Sequence, residues 1–499
     1  MRKNLRNFIL ILGIILLSKY IQIIGLIIGF SKLEYFFFNI RQKELKLKLK
    51  NEVKEVRFHI KTSKPKVICV YSSENKLIDS FFISKEYLEK WFFFGFKVEN
   101  NEIVLKIKKE EGDTSPIILK GALFKLKNEE EMYVRADGIR QFVDFDKKLE
   151  LKFKRVIPDL KGILYALSTS WDAYWYKSII LQGYSYDKNF YKAQNPQFAP
   201  LYPLLCKATN YLLKNIELSM IFVSNLLGLI AYFVIFFIIY NLSGEKSAFR
   251  TLILYLLYPG ALFFTVPYSE STAVLISSIS FHFLIKRNYS LSFLLIGIGT
   301  AARFHLIFFS VSFLIIYIME ERKKLNFFKL FLYTILSFSG IILYSLYLWI
   351  KFKEPFAHYL LWKYAWGNGN WISNLFKNII FLLKIMDFIV IPQQTYLIVF
   401  WLFCFSIVQY SKKYSIKDKL FIASLVPFCG ILISTLSQGH PKVYLASLTR
   451  FFYSIFPLFL VLEKTLNDNL FWLFSIVFIV MLFCNSLFFN PLSIFKYIP

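Results

Sequence analysis

The sequence predicts a mainly α, polytopic membrane protein with a small β domain inserted after its first helix. Two observations lead to this fold class: long apolar segments recur along the chain, and one charged stretch instead alternates apolar and polar residues. Of the 499 residues, 56% are hydrophobic and 19% aromatic, whereas only 19% are charged. A soluble domain is usually about a quarter charged. The composition therefore excludes an ordinary soluble enzyme.

The distribution of charge argues against nucleic-acid binding, although the net charge is +27. Residues 41–160 hold 27 Lys or Arg against 20 Asp or Glu, and the rest of the chain holds 33 basic and 13 acidic residues. In a membrane protein, an excess of basic residues is expected at cytoplasmic loops and lipid headgroups. We therefore expect membrane lipids, and no nucleic acid, among the partners.

The apolar segments predict about eleven membrane spans. The first helix, residues 1–30, has Arg2, Lys3 and Arg6 before an apolar run that is long enough to cross a bilayer. No small-residue cleavage site follows this run, so we expect a retained helix with its N-terminus inside. The other segments are 218–240, 251–265, 271–286, 289–303, 304–320, 326–350, 394–411, 419–437, 451–463 and 470–488.

The loop charges predict the orientation. With the N-terminus inside, the cytoplasmic connections contain twelve Lys or Arg, and the short outer connections contain only Arg303, Lys442 and Arg450. This asymmetry agrees with the positive-inside tendency. In the outer segment 351–393, the apolar but charge-interrupted stretch 375–391 predicts a helix that lies in the membrane interface.

Residues 41–157 predict an extracytoplasmic β-sandwich of about a hundred residues. Alternating apolar and polar residues are typical of half-buried strands, and short apolar runs are typical of buried ones. The insert could be a packing platform or could bind carbohydrate, and the sequence does not choose between the two. The alternating runs are 45–50, 56–60, 103–108 and 149–154, and the apolar runs are 67–71 and 117–119.

Asp172 stands in an aromatic run with Trp171, Tyr174 and Trp175. On a helix, positions 172, 175 and 176 share one face, so the carboxylate would lie among aromatic rings. Aromatic faces can pack on sugar rings, and a partly desolvated carboxylate can accept a proton. The same pattern is also typical of an aromatic belt at the membrane surface. Both interpretations stay open.

Glu270 lies close to Tyr268 in the predicted outer turn 266–270. An acid so near the hydrocarbon is costly unless it is paired or faces water, which makes it a candidate functional residue. It also follows Pro267 and Ser269 at the predicted start of a helix, where an acid is favourable. The two interpretations are compatible.

Arg303 and Arg450 are each predicted at the outer end of a span, and His440 and Lys442 share the loop of Arg450. A guanidinium there can hold a phosphate through two parallel hydrogen bonds, or it can extend to lipid headgroups. The five cysteines form no CxxC pair and the histidines show no ligand spacing. We therefore expect neither a metal nor a cofactor.

Four segments form motifs that follow one another along the chain: 171–176 with Gly183 and Tyr184, 198–203, 263–271, and 450–452 leading to 456–459. In this order they resemble the PIG-V family of mannosyltransferases. The resemblance covers about residues 168–463 and leaves out the β insert. Ala199 departs from the usual Phe-Phe-Pro motif, and the continuation of Arg303 with Phe304 and His305 is unusual, which leaves the acceptor open.

The resemblance implies a GT-C fold for residues 158–499, with an active site that faces away from the cytosol. It also implies a polyprenyl- or dolichyl-phosphate sugar donor, mannose as the sugar, and inverting transfer to a hydroxyl of a glycan or lipid acceptor. Asp172 looks like the acidic residue of the first outer loop that GT-C enzymes use in catalysis, where it would accept the proton of the acceptor hydroxyl, and Glu270 would orient the acceptor or Asp172. The expected substrate contacts are Trp171, Tyr174, Trp175, Tyr268, Arg303, His440, Lys442 and Arg450.

Two alternatives to a mannosyltransferase stay open. One is a GT-C enzyme that transfers another hexose or a pentose. The other is a transporter or a noncatalytic scaffold, in which Asp172 and Glu270 belong to a substrate pathway or have no chemical role. A transporter should have repeated halves, and the sequence shows none.

Overall fold

The computed structural model describes two compact units, residues 1–27 with 167–491 and residues 28–166 with 492–499. Helices dominate the first unit and strands the second. Within the chain, the described residues are 2–31, 36–38, 44–48, 53–62, 66–72, 77–83, 92–97, 102–108, 117–126, 131–135, 164, 167–168, 171–366, 370–383, 395–415, 417–437 and 447–488.

The described part of the helical unit contains both long and short helices. Short helical turns also occur at Asn195–Gln197, Pro259–Phe264, Phe304–Leu306 and Trp362–Trp366. In chain order the helices are α1 (Arg2–Ser31), α2 (Asp172–Gln182), α3 (Leu201–Leu213), α4 (Ile216–Leu257), α5 (Glu270–Ile285), α6 (Tyr289–Thr300), α7 (Ile307–Glu321), α8 (Phe327–Ser337), α9 (Ser339–Phe352), α10 (Ala357–Leu361), α11 (Trp371–Leu383), α12 (Thr395–Lys413), α13 (Lys419–Leu436), α14 (Leu448–Tyr453), α15 (Phe456–Thr465) and α16 (Asp468–Phe488).

By length and composition, five helical segments of the described chain could cross a membrane. They lie in α1, α4, α7 with the turn before it, α13 and α16. The number becomes six if α8 and α9, which meet at a 58° bend, form one broken span. These segments are compatible with a multi-pass membrane protein, and the larger number of eleven spans stays a prediction.

Helix α4 folds back on itself at Gly244, whose φ of 83° and ψ of 177° are not helical. Such a conformation is essentially restricted to glycine. A straight helix would place residues 232 and 255 about 35 Å apart, yet the rings of Tyr232 and Tyr255 are 6.0 Å apart. The rings of Phe236 and Phe249 are also close, at 4.9 Å. The end of the predicted segment 218–240 and the start of the segment 251–265 therefore run antiparallel to each other. The connection between them is shorter than predicted.

The polar residues of α1 attach it to the rest of the helical unit. The hydroxyl of Ser18 donates to the carbonyl oxygen of Leu256 at 2.6 Å. The Nζ of Lys19 donates to Asn225 Oδ1 at 3.0 Å and to Thr265 Oγ1 at 2.6 Å. Within a membrane, such interhelical hydrogen bonds supplement van der Waals packing. The buried face of α1 consists of Ile11, Ile15, Ser18, Gln22 and Leu26.

The segment 326–350, predicted as one span, is divided into α8 and α9 at Phe338. The backbone amide of Ile341 donates to the hydroxyl of Thr300 at 3.0 Å, so α6 satisfies a donor next to the bend. Gly297 and Gly340 lie where the backbones approach each other. Close approach of this kind requires small residues.

Replacement of Gly297 by alanine is expected to destabilise the helical unit by about 1–3 kcal/mol, because overpacking forces the backbone to move. The added Cβ would overlap the carbonyl oxygen of Leu336. The unfolding temperature in detergent measures the effect. Gly13→Ala is the matched control, since nothing lies within 4 Å of a Cβ added there. Equal unfolding temperatures for the two variants would contradict the packing argument.

Among the residues that the structure describes, the second unit contains nine strands in two antiparallel sheets. One sheet has the order β1-β8-β3-β6 with β9 also on β8, and the other has the order β2-β7-β4-β5. The sandwich packing of these sheets and its position relative to a membrane stay predictions. The strands are β1 (Phe36–Phe38), β2 (Glu44–Lys48), β3 (Val53–Thr62), β4 (Lys66–Ser72), β5 (Leu77–Ile83), β6 (Phe92–Lys97), β7 (Glu102–Lys108), β8 (Ile117–Leu126) and β9 (Glu131–Arg135).

The alternation of apolar and polar residues in β3 matches the burial of its side chains. Val56 and Phe58 are buried, whereas Arg57 between them is exposed. Successive side chains of a strand point to opposite faces, so this pattern places one face of the sheet against a core. The predicted strand at 149–154 lies outside the described residues.

Candidate functional site

Asp172 is the first residue of α2, where a negative charge is favoured by the partial positive charge of the helix terminus. The chain enters the helix through Trp171, which has a φ of 48°. Ala173, Tyr176 and Ile180 form the buried side of α2. The Asp172 side chain retains 23% of its accessible surface. The helix thus holds the carboxylate at a partly accessible position.

Glu270 begins α5 after a turn that contains Pro267 and Ser269. Its side chain is only 1% exposed, unlike that of Asp172. The helix terminus again favours the negative charge. A carboxylate buried this deeply requires cationic partners or hydrogen-bond donors.

Two arginines from distant parts of the chain provide those partners. Arg303 follows α6 in an extended conformation, and Arg450 lies in α14. The Nε of Arg450 lies 3.0 Å from Glu270 Oε1, and its Nη1 lies 2.7 Å from Asp172 Oδ2. The Nη1 of Arg303 also forms an ion pair with Glu270 Oε1. Asp172, Glu270, Arg303 and Arg450 therefore form one cluster, named the four-charge cluster below.

Electrostatic attraction keeps Arg450 charged in this cluster. Burial alone would lower the pKa of its guanidinium, but the carboxylates of Asp172 and Glu270 outweigh burial and raise it. Two negative and two positive side chains make the cluster formally neutral. A neutral, paired arrangement lessens the cost of removing these charges from water.

Aromatic rings surround the guanidinium of Arg450. Its Cζ lies 4.8 Å from the ring centre of Phe451, 5.4 Å from that of Phe263 and 5.5 Å from that of Tyr268. Cation–π attraction and the exclusion of water by these rings both favour a fixed guanidinium. Tyr268 is therefore part of the cluster's immediate surroundings.

The other predicted aromatic contacts lie along α2. Trp175 stacks on Phe198, with ring centres 5.8 Å apart and an interplanar angle of 18°. Tyr174 makes an edge contact with Trp175 at 5.1 Å. Trp171 is 40% exposed. Trp175, on the helix that carries Asp172, and Phe198, which follows the turn at 195–197, thus form an aromatic surface.

Three residues near the cluster were not among the predicted substrate contacts. Tyr176 and Ser269 share a hydrogen bond of 2.7 Å, and Ser269 Oγ accepts from Arg303 Nη1 at 3.4 Å. Burial raises the pKa of the Tyr176 hydroxyl, so this group stays protonated. His305 Nε2 lies 3.0 Å from the hydroxyl of Ser454. A signal for Tyr176 was present, since it shares a helix face with Asp172, but nothing local in the sequence connects it with Ser269.

Two predicted contacts, His440 and Lys442, lie outside the described residues. Their expected convergence with Arg450 stays a prediction. In the part of the chain that the structure describes, no group of three or more His, Cys, Asp or Glu could hold a metal ion.

A buried histidine lies in the aromatic core beneath the loop that follows α2. The ring of His358 is 5.1 Å from that of Phe304 and 5.9 Å from that of Tyr344. Burial lowers its pKa to about 4, against about 6.5 for an unperturbed histidine. At neutral pH this side chain is uncharged and packs as an aromatic residue.

His358 is expected to make the protein acid-sensitive. Because the pKa of His358 is lower in the folded protein than in the unfolded chain, its contribution to the free energy of unfolding is fully present above about pH 6.5. As the pH falls toward 4, the unfolded chain binds a proton first, and the free energy of unfolding falls by up to about 3 kcal/mol. Unfolding temperatures of the wild type and His358→Gln, measured from pH 7.5 to 4.5, test this expectation. The difference between the unfolding temperatures of the two proteins should become smaller as the pH falls. A difference in unfolding temperature that stays constant over this pH range would contradict the lowered pKa of His358.

No family model, curated protein or solved structure matches this chain in comparisons with known proteins.

Proposed function

We propose that this protein is a membrane glycosyltransferase of the PIG-V type, which transfers a sugar, with mannose as the first candidate, from a polyprenyl-phosphate donor to an acceptor hydroxyl. The observation that carries the proposal is the four-charge cluster. It combines a partly accessible carboxylate with two guanidinium groups, and Trp175, on the same helix as that carboxylate, stacks on Phe198. A base, a phosphate-binding group and a sugar-binding surface are the parts that such a reaction requires.

Asp172 is the proposed general base. Its side chain is 23% exposed, whereas that of Glu270 is 1% exposed, so Asp172 is the carboxylate that an acceptor can reach. In the reaction, the acceptor oxygen forms a bond with the anomeric carbon, and the bond from that carbon to the phosphate oxygen breaks. Asp172 accepts the hydroxyl proton, and the prenyl phosphate leaves as an anion that needs no general acid.

Glu270 is proposed as a positioning residue. It pairs with both Arg303 and Arg450, and so holds the two cations in fixed positions. Arg303 and Arg450 would stabilise the negative charge of the donor's phosphate. Trp175 with Phe198, and Trp171 and Tyr174 on the same segment, would contact the sugar.

The proposed topology follows from the sequence. About eleven spans of a GT-C fold would place the four-charge cluster and the β unit on the extracytoplasmic side, as the loop charges predict. The two sheets would pack as a sandwich on that side. The acceptor would be a glycan or a lipid that carries a free hydroxyl.

The proposal is tested with purified protein in lipid nanodiscs. The protein is supplied with polyprenyl phosphates that carry mannose, another hexose or a pentose, together with extracted membrane lipids and surface glycans as acceptors. Release of prenyl phosphate from one donor, with the labelled sugar recovered on an acceptor, is the expected result. If every donor stays intact, the glycosyltransferase proposal is wrong. Transport across liposomes without donor cleavage would instead identify a transporter.

A further inference from the structure

Arg450 uses different nitrogen atoms for its two carboxylate partners. Its Nε lies 3.0 Å from Glu270 Oε1, and its Nη1 lies 2.7 Å from Asp172 Oδ2. The planar guanidinium can therefore keep one partner while it exchanges the other. This geometry matters because Asp172 is the proposed base and Arg450 a proposed phosphate ligand.

The two partners differ in how easily another anion could replace them. Glu270 is 1% exposed and also pairs with Arg303. Displacement of Glu270 would therefore deprive two buried guanidinium groups of a carboxylate partner. Asp172 is 23% exposed and lies at the accessible edge of the cluster. A phosphate group accepts the same kind of charge-assisted hydrogen bond as a carboxylate. An incoming phosphate would therefore compete with Asp172 and not with Glu270.

We propose that the phosphate of the donor displaces Asp172 from Nη1 of Arg450, while Nε stays on Glu270. This inference rests on the proposed function. Before the donor binds, the ion pair holds the carboxylate of Asp172 and limits its availability as a base. Donor binding anchors the phosphate and frees that carboxylate for the acceptor hydroxyl. Departure of the prenyl phosphate allows the ion pair to form again, so the donor must bind before the acceptor can react.

The exchange predicts that loss of the Asp172 charge strengthens phosphate binding. Asp172→Asn should bind farnesyl phosphate about tenfold more tightly than the wild type, because the competing carboxylate is gone. Calorimetry or fluorescence titration in detergent measures the dissociation constant. Inorganic phosphate should show the same direction of change, and farnesol, which lacks the phosphate, should show none. Unchanged or weaker binding of farnesyl phosphate to Asp172→Asn overturns the proposal.

A double-mutant cycle separates competition at Arg450 from simple repulsion between Asp172 and the phosphate. In an Arg450→Lys background the side chain keeps its charge but loses the planar fork, so Asp172→Asn should tighten binding much less. In an Arg303→Lys background, which leaves the Arg450–Asp172 pair in place, the tightening should persist. Equal tightening in all backgrounds indicates repulsion and overturns the exchange. If Arg450→Lys does not fold, unchanged or weaker binding of farnesyl phosphate by Asp172→Asn still overturns the exchange.

The outcome for the exchange can be distinguished from the outcome for the proposed function. Donor turnover by the wild type is measured separately with the sugar-phosphate panel. If the wild type turns over a donor but Asp172→Asn does not bind farnesyl phosphate more tightly, the exchange is overturned and the proposed function stands. Tighter binding without any turnover supports the competition for Arg450 and counts against the glycosyltransferase proposal.

Discussion

Replacement of Asp172 by asparagine is expected to reduce sugar transfer by about 10²–10⁴-fold, which is the usual contribution of a general base. The amide has nearly the same shape as the carboxylate but cannot accept the proton of the acceptor hydroxyl. The pair of Arg450 with Glu270 does not involve Asp172, so the protein should still fold. Initial rates of prenyl-phosphate release measure the effect.

Asp187→Asn provides the matched control for this loss of activity. Asp187 lies in the loop after α2, where its Oδ1 accepts from the amide of Asn189 at 2.8 Å. It has the same side chain and charge but is not part of the four-charge cluster, so its replacement should preserve most of the activity. Near-normal turnover by Asp172→Asn would remove Asp172 from the mechanism. Equal losses in both variants would point to a general charge effect.

Replacement of Glu270 by glutamine is expected to lower the free energy of unfolding by about 3–5 kcal/mol, as is typical when one partner of a buried ion pair is removed. Both Arg303 and Arg450 would lose their buried carboxylate partner. Sugar transfer should fall as well, because the two guanidinium groups would no longer be held in place. Thermal unfolding in detergent and donor turnover measure the two effects.

Asp468→Asn is the matched control for Glu270→Gln. Asp468 also pairs with two cations, Lys246 and Arg250, but its side chain is 68% exposed. Exposed ion pairs contribute little to stability because water and salt screen them. We therefore expect little change in the unfolding temperature of Asp468→Asn. A similar drop for both variants would show that burial is not the cause of the Glu270 effect.

The membrane character and the positions of many helices follow from local sequence. Apolar runs of suitable length predict segments that match α1, α7, α13 and α16, because burial in lipid is determined by the composition of the segment itself. The period-2 alternation around Val56 likewise predicts strand β3. These features depend on neighbours in sequence and need no information about distant contacts.

The bends of the helices were less predictable. The predicted segments 218–240 and 251–265 leave a ten-residue connection around Gly244, residues 241–250. In the structure, helical geometry continues on both sides of one glycine. The division at Phe338, which was not predicted, directly precedes Ser339 and Gly340, a type of pair at which helices often bend. It occurs where Thr300 accepts a hydrogen bond from the following backbone, which is a tertiary contact.

The sequence by itself determined that acidic and basic side chains stand at the ends of apolar segments, where an unpaired charge is costly. It therefore identified Asp172, Glu270, Arg303 and Arg450 as candidates. Only the tertiary structure decided that Arg450 lies between Asp172 and Glu270, and that Glu270 is the buried member of the two acids. The physical reason is that hydropathy and helix periodicity are local properties, whereas ion pairing depends on how α2, α5 and α14 pack against one another.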